Sequence, residues 1–271
     1  MPLFNRRAVL QVEGRDLSAL RITFDVSKNL KGRPNKAEIS VTNLSPDTRR
    51  QLSAAAEKRI VLLAGYETET PYAVFVGTLE KVEHARAGSD WVSKITSGDG
   101  LPRSARVSAA FGRGADLERV FLDVVKQAAA QAGLGSGNAS QVAKRLKGRS
   151  VGAAGVALSG AADVALDGLL EELGLEWSVQ DQQLQILERG KPRQVRAAVI
   201  SPDSGLVGSP EVLEKGRVRA KSLLAPGLDP GLLVRLESRD LQGFYRVDSA
   251  RYTGDARGQD WYVQMEMRPA T

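Results

Sequence analysis

His84 is the only histidine of the chain. A lone imidazole suffices for general base catalysis when a nucleophile and an orienting group stand beside it. It sits inside an alternating segment, Leu79 to Arg86, and a second, similar segment has Ser249 at the matching place. A position that accepts either residue reads as structural. The acids do not converge either. Asp47 and Glu57 lie at opposite ends of one short helical stretch, and Glu171 and Glu172 are neighbours on another, where adjacent side chains point apart. No His, Cys or carboxylate group has metal-ligand spacing, and the absence of cysteine removes disulfide and thiolate chemistry. Gly112-Arg113-Gly114-Ala115-Asp116 precedes a helix like a phosphate loop, but the Lys-Ser/Thr pair of that motif does not follow. It reads as a loop closing on a helix cap. Gly133-Leu134-Gly135-Ser136-Gly137 lacks a dinucleotide fingerprint and reads as a linker. There is no Gly-x-Ser-x-Gly elbow. No catalytic residue, metal site or cofactor is implied. An enzyme built from acids of separated segments, Asp99 among them, stays open as a second reading.

Charge raises a third possibility. The 271 residues carry a net charge of +6, but 32 acidic residues are interspersed among 38 basic ones. A dedicated nucleic-acid binder concentrates its charge more. The one dense basic run is Lys144, Arg145, Lys147 and Arg149. It could meet phosphates or an acidic protein face, or simply be a solvated surface, and no aromatics interleave it. Trp91 and Trp261 could anchor a partner. Each follows an aspartate in a matching hairpin, which favours a repeated core role.

Those hairpins belong to a larger repetition. Lys81-Val82-Glu83-His84-Ala85-Arg86 leads to Asp90-Trp91, and Arg246-Val247-Asp248-Ser249-Ala250-Arg251 leads to Asp260-Trp261. Upstream, Thr42-Asn43-Leu44-Ser45-Pro46 and Ser222-Leu223-Leu224-Ala225-Pro226 each end an alternating run, and Gly77 and Gly243 each open a later strand. Landmarks recurring in the same order imply two similar β-modules. In the first, strands are expected at Ala8 to Val12, Leu20 to Val26, Ala37 to Val41, Ile60 to Ala64, Tyr72 to Val76, Leu79 to Arg86 and Trp91 to Ser97. Ser45 as N-cap and Pro46 at the first turn start a helix expected to reach about Glu57. The middle of the chain changes to helical spacing. Leu117, Val120, Phe121, Val124, Val125 and Ala128 follow a cap at Asp116, and Val164, Leu166, Leu169, Leu170 and Leu173 mark a second helix over Ala161 to Leu173. A hairpin turns at Asp181-Gln182. The β-signal returns at Ala197 to Ser201, Val218 to Leu224, Leu232 to Leu236, Phe244 to Arg251 and Trp261 to Met267.

The fold class is therefore α+β and β-rich: two similar modules of barrel or sandwich type, residues 1–102 and 194–271, flanking a small α+β domain, residues 103–193. Exposed strand edges invite pairing, and the candidate inter-subunit edges are Ala37, Ile39 and Val41 in one module and Val218, Ala220 and Leu223 in the other. The N-terminus lacks the apolar core of a signal peptide. The most apolar window, Val151 to Leu173, is broken by glycines and acids, so no membrane span is expected.

The order of Leu20-Arg21-Ile22-Thr23-Phe24, Asn35-Lys36-Ala37-Glu38-Ile39, Thr42-Asn43-Leu44-Ser45, Ala64-Gly65-Tyr66 and Val76-Gly77 resembles the N-terminal part of baseplate hub proteins of contractile-tailed phages. Leu173-Gly174-Leu175-Glu176-Trp177-Ser178, Gly205-Leu206-Val207-Gly208-Ser209-Pro210 and Pro230-Gly231-Leu232-Leu233-Val234-Arg235-Leu236 extend the resemblance over nearly the whole chain. It implies tail-tube-like β-modules, two per chain, and a homotrimer in the assembled particle. Six similar modules would adapt a sixfold tail tube to a threefold spike. The implied partners are the tail tube protein or a tube-proximal baseplate protein, the spike protein and the tape-measure protein. The implied location is the virion tail or baseplate, after synthesis in the host cytoplasm. Contractile bacteriocins use the same parts. The resemblance brings no catalytic residue and no cofactor, and a tail-associated cell-wall hydrolase is the alternative it leaves open.

Overall fold

The computed structural model describes residues 5–30, 32–54, 57–193 and 196–270. The chain divides into two compact units: Met1–Asn29, Asn35–Asp99 and Pro192–Thr271 form one, and Leu30–Pro34 with Gly100–Lys191 form the other.

The N-terminal part contributes β1 (Arg6–Val12), β2 (Arg15–Asp16), β3 (Ile22–Asn29), β4 (Asn35–Thr42), α1 (Pro46–Ser53), β5 (Arg59–Tyr66), β6 (Tyr72–Ala87) and β7 (Asp90–Asp99) to the first unit. Alternation decides the faces here. Ile22, Phe24 and Val26 of β3 and Ala37, Ile39 and Val41 of β4 are all buried, while Lys36 and Glu38 between them stay in water. Ser45 caps α1 by accepting from the Thr48 backbone N–H, with Pro46 at the first turn. The helix stops at Ser53 instead of reaching Glu57. Glu57 adopts a left-handed φ of 63° and already donates its N–H to Leu79 O, so it belongs to the sheet margin. The two strands expected at Tyr72 to Val76 and Leu79 to Arg86 are one 16-residue strand that changes partner along its length. Its first part pairs with β5, and from Thr78 onward it pairs with β7. Gly77 therefore lies inside that strand.

The second unit holds β8 (Arg106–Phe111), α2 (Leu117–Gln131), α3 (Ala139–Ala143), β9 (Val156–Ala161), α4 (Ala162–Glu172), β10 (Leu175–Gln180) and β11 (Gln183–Glu188). Asp116 caps α2 through the Glu118 N–H, and Val120, Phe121, Val124, Val125 and Ala128 bury the helix face that their spacing implies. α4 buries Leu166, Leu169 and Leu170, but Val164, expected on that face, is 68% exposed. Position 164 lies two residues before Leu166, which places it on the opposite side of a helical turn. The β10–β11 hairpin turns at Asp181 and Gln182, both with positive φ, as a tight two-residue hairpin requires. β8 and β9, which pair with each other, lie in stretches where the sequence pattern indicates no strand.

The remaining strands return to the first unit: β12 (Ala198–Ile200), β13 (Leu206–Val212), β14 (Val218–Leu223), β15 (Leu233–Glu237), β16 (Gln242–Asp255) and β17 (Trp261–Pro269). They join the N-terminal strands in one 13-stranded sheet. The N-terminal strands run in the order β3-β4-β7-β6-β5-β1, the C-terminal strands in the order β13-β14-β17-β16-β15-β12, and β16 pairs antiparallel with β3 to join them. One apolar cluster runs beneath both sets, from Leu10 and Phe24 to Trp261 and Met265.

Candidate functional site

Since a strand with one neighbour exposes backbone donors and acceptors, the surfaces most able to act are the ends of that sheet. The expected edges are not there. β4 lies between β3 and β7, and β14 between β13 and β17. Ala37, Ile39, Val41, Val218 and Ala220 are buried and Leu223 is half-buried, so all six are interior positions whose strands are already paired on both sides. Alternation reports which face a strand buries, not how many neighbours it has.

Among the described residues, several strand segments are paired on one side only, and two of them, in β13 and in β6, lie at the places that β3 and β16 hold in the opposite ladders. β13 pairs with β14 and nothing else, and carries Gly208, Ser209 and Pro210 with Val212 62% exposed. β6 beyond Leu79 pairs only with β7. The corresponding stretch of β16, Ser249 to Asp255, is paired on both sides, with β17 and with β3. That junction shows what such an edge accepts. Arg251 holds Asp25 at 2.5 Å, and Arg21 holds Asp255 at 2.6 Å. The Arg21 hydrogen bond, helped by backbone N–H groups of Arg257 and Gly258, keeps the Asp255 carboxyl below its ordinary range. Phe24 meets Trp261 edge to face at 5.6 Å, and Gly254, opposite Phe24, has no room for a Cβ because the phenyl ring fills it. Lys28, buried, reaches Asp229 at 3.2 Å, and Tyr252 donates to the same carboxylate at 2.9 Å.

The two tryptophans are not equivalent. Trp261 is fully buried opposite Gly254, three pairs beyond Arg251, whereas Trp91 pairs with Arg86 directly and stays half-exposed. A bulge between Val247 and Ser249 also moves the second copy out of step, so Arg251 lies on the open face of the sheet and Arg86 on the α1 face. Trp91 has the Arg49 guanidinium 3.9 Å from its ring centroid and that of Arg86 at 5.5 Å. A groove opens beside it, between α1 and the β6–β7 hairpin. His84 forms part of its wall. Its Nδ1 lies 2.8 Å from Ser93 Oγ, and its Nε2 lies 3.1 Å from both Ser53 Oγ and the Arg49 carbonyl, which ties α1 to the hairpin.

The other singled-out residues are dispersed. Asp99 is buried beside Asn35 at the end of β7. Glu171 meets Arg189 on the surface of the second unit. Lys144, Arg145, Lys147 and Arg149 are all exposed, with Arg145 paired to Glu188. Among the described residues, no three His, Cys, Asp or Glu side chains are grouped to hold a metal ion, and no helix is long and apolar enough to cross a membrane.

The family model of baseplate hub gp41 matches residues 7–267. The chain belongs to the baseplate hub gp41 family. No curated protein matches it. Its fold is similar to that of a tail protein from Neisseria meningitidis MC58, with a TM-score of 0.65 and 9% identity over 97% of this chain and 96% of that one. It is also similar to the prophage MuSo2 43 kDa tail protein of Shewanella oneidensis (TM-score 0.62, 10% identity, 97% of each chain). A third similar structure is the E. coli c3393 protein, a type VI secretion system component described as similar to the T4 tail proteins gp27 and gp5 (TM-score 0.64, 12% identity, 97% of this chain and 77% of that one). The hub chain is thus a structural component of the tail baseplate, and the expected β-rich α+β class holds. The signal for the open edge at β13 lay in the sequence, because Gly208 and Pro210 are residues that central strands avoid.

Proposed function

We propose that the hub chain closes a threefold ring in the baseplate, in which two β-modules per chain give six similar positions around a central channel. The supporting observation is the shared strand order of the two ladders, together with the places where each is open. Within the chain, the distal half of β16 is completed by β3. By position in the ladder, β6 corresponds to β16 and β13 to β3. The distal half of β6 and the outer edge of β13 are the two strand segments that lack this partner among the described residues. A β13 from one copy beside a β6 from the next repeats the internal junction between chains. Such head-to-tail contacts generate a ring when the rotation closes. Three copies then offer a sixfold surface to a tail tube or tube-proximal protein and a threefold one to a spike, with the tape-measure protein as a further partner in the channel. The domain division at 1–102, 103–193 and 194–271 belongs to this proposal. The role is mechanical rather than catalytic, in keeping with the family.

Cryo-electron microscopy of the native particle tests it. Three copies with β6 paired to a neighbouring β13 are expected. A single copy per particle, or six chains each placing one ladder in the ring, would refute the duplication.

A further inference from the structure

The groove beside Trp91 carries charge that nothing among the described residues answers. Arginines elsewhere on the same sheet hold carboxylates: Arg21 with Asp255, Arg219 with Glu266, Arg246 and Arg268 with Asp248, Arg251 with Asp25. Arg49 and Arg86 have Trp91 instead. Neither guanidinium makes an ion pair or a hydrogen bond among the described residues, and Arg49 Nε is buried with no partner. A guanidinium offers five donors in a planar fork that suits a carboxylate, and a buried donor left unmade is costly. Arg49 is therefore incomplete as it stands, and Arg86, exposed beside the same indole, adds a second cation free to meet an anion.

The surroundings narrow what completes it. Pro46, Ala54 and the exposed part of Trp91 give the groove apolar walls, and Ser53 Oγ and His84 Nε2 give it polar ones. Among the described residues no acid lines it, and Asp47, next to Pro46 of its wall, is engaged by Arg50. We propose that this groove binds an acidic segment of a partner protein, one that seats an aromatic or aliphatic side chain between carboxylates. The carboxylates complete the forks of Arg49 and Arg86, and the apolar side chain covers Pro46 and Ala54. A nucleobase fits less well, because stacking needs an open ring face and Arg49 already lies at stacking distance over Trp91. A basic segment would add like charge beside two bare cations.

The test places p-benzoylphenylalanine at Ala54 in the hub chain of the native particle. Irradiation should join it to a peptide of another protein with several Asp or Glu residues near the attachment point. Arg49→Glu together with Arg86→Glu should lower the yield roughly tenfold or more, as loss of charge-assisted hydrogen bonds would. An unchanged melting temperature of that variant shows that the fold is intact. If it is not, Trp91→Phe keeps the wall, weakens the cation–π stack and should lower the yield by a smaller factor. No adduct, an adduct only to another hub chain or to nucleic acid, or a yield insensitive to all these changes overturns the proposal. A particle with a correctly closed ring but no adduct leaves the ring standing and removes the groove; a particle without the ring but with the adduct does the reverse.

Discussion

The two ladders of the sheet agree in strand order and differ in what completes them. In the N-terminal ladder β1 runs antiparallel to β5; in the C-terminal one β12 runs parallel to β15. A capped helix carrying Leu52 covers the first, whereas the segment between β14 and β15 covers the second, burying Leu224 and Leu228 without a helix. The tip of the β16–β17 hairpin is clasped by the N-terminal part: Arg6 donates to the Gly258 carbonyl, Arg257 to that of Ala19, and Ala256 N–H to that of Ile22. The β6–β7 tip has no such clasp from the C-terminal part among the described residues. Strand order is what two similar modules must share, because it sets the sheet. Covers and tips can diverge, and those are the regions that meet other elements.

The largest expected effect comes from breaking the junction that one ladder has and the other lacks. Phe24, 3% exposed against Trp261, should cost about 3–5 kcal/mol when changed to alanine. Urea unfolding measures it, and a loss below about 1 kcal/mol would mean that the junction is not packed as described. The covers come next. Leu52→Ala and Leu228→Ala should each cost about 2–5 kcal/mol if helix and loop plug their ladders equally. A loss confined to one of them would show that only that cover is structural.

Hydrogen exchange sharpens the comparison of the edges. In the isolated chain, amides of Glu80 to Ala87 should exchange faster than those of Ser249 to Asp255, whose strand is paired on both sides. In the particle the difference should shrink. A persistent difference there would argue against a strand docking on β6.

Titration separates the ladders more subtly. Burial pushes the Tyr66 hydroxyl up to about 12 and Tyr72 well above its ordinary value, and neither has a hydrogen-bond partner among the described residues. Both belong to the N-terminal ladder. In the unfolded chain they ionise near 10, so their contribution is intact below about pH 10 and is lost as the pH rises through the folded values. Tyr66→Phe with Tyr72→Phe should flatten the alkaline fall in melting temperature; an equally steep fall would place its origin elsewhere. The smallest effect concerns Arg21. Asp255 is held below its ordinary value, so its contribution is present above the unfolded carboxylate value and is lost as the pH falls through the folded one. Arg21→Ala should shift acid unfolding slightly towards neutral pH, and an unmoved midpoint would show that the ion pair is not coupled to folding.

Local chemistry settled much by itself. Alternation placed Ile22, Phe24, Ala37, Ile39 and Val41 on buried faces, Ser45 and Asp116 declared their helix starts, and Asp181-Gln182 marked a turn, because each depends only on neighbours in sequence. The groove was only half legible: Trp91 and His84 stood out as residue types, but Arg49 and Arg86 did not, since their meeting depends on how α1 lies over β6 and β7. Tertiary structure alone decided which strands were edges and whether a repeated motif stayed in step. Strand pairing is non-local, so β4 and β14 gained neighbours that no pattern within them announces. One extra residue at a bulge is enough to send Arg251 and Arg86 to opposite faces, because side chains alternate with a period of two.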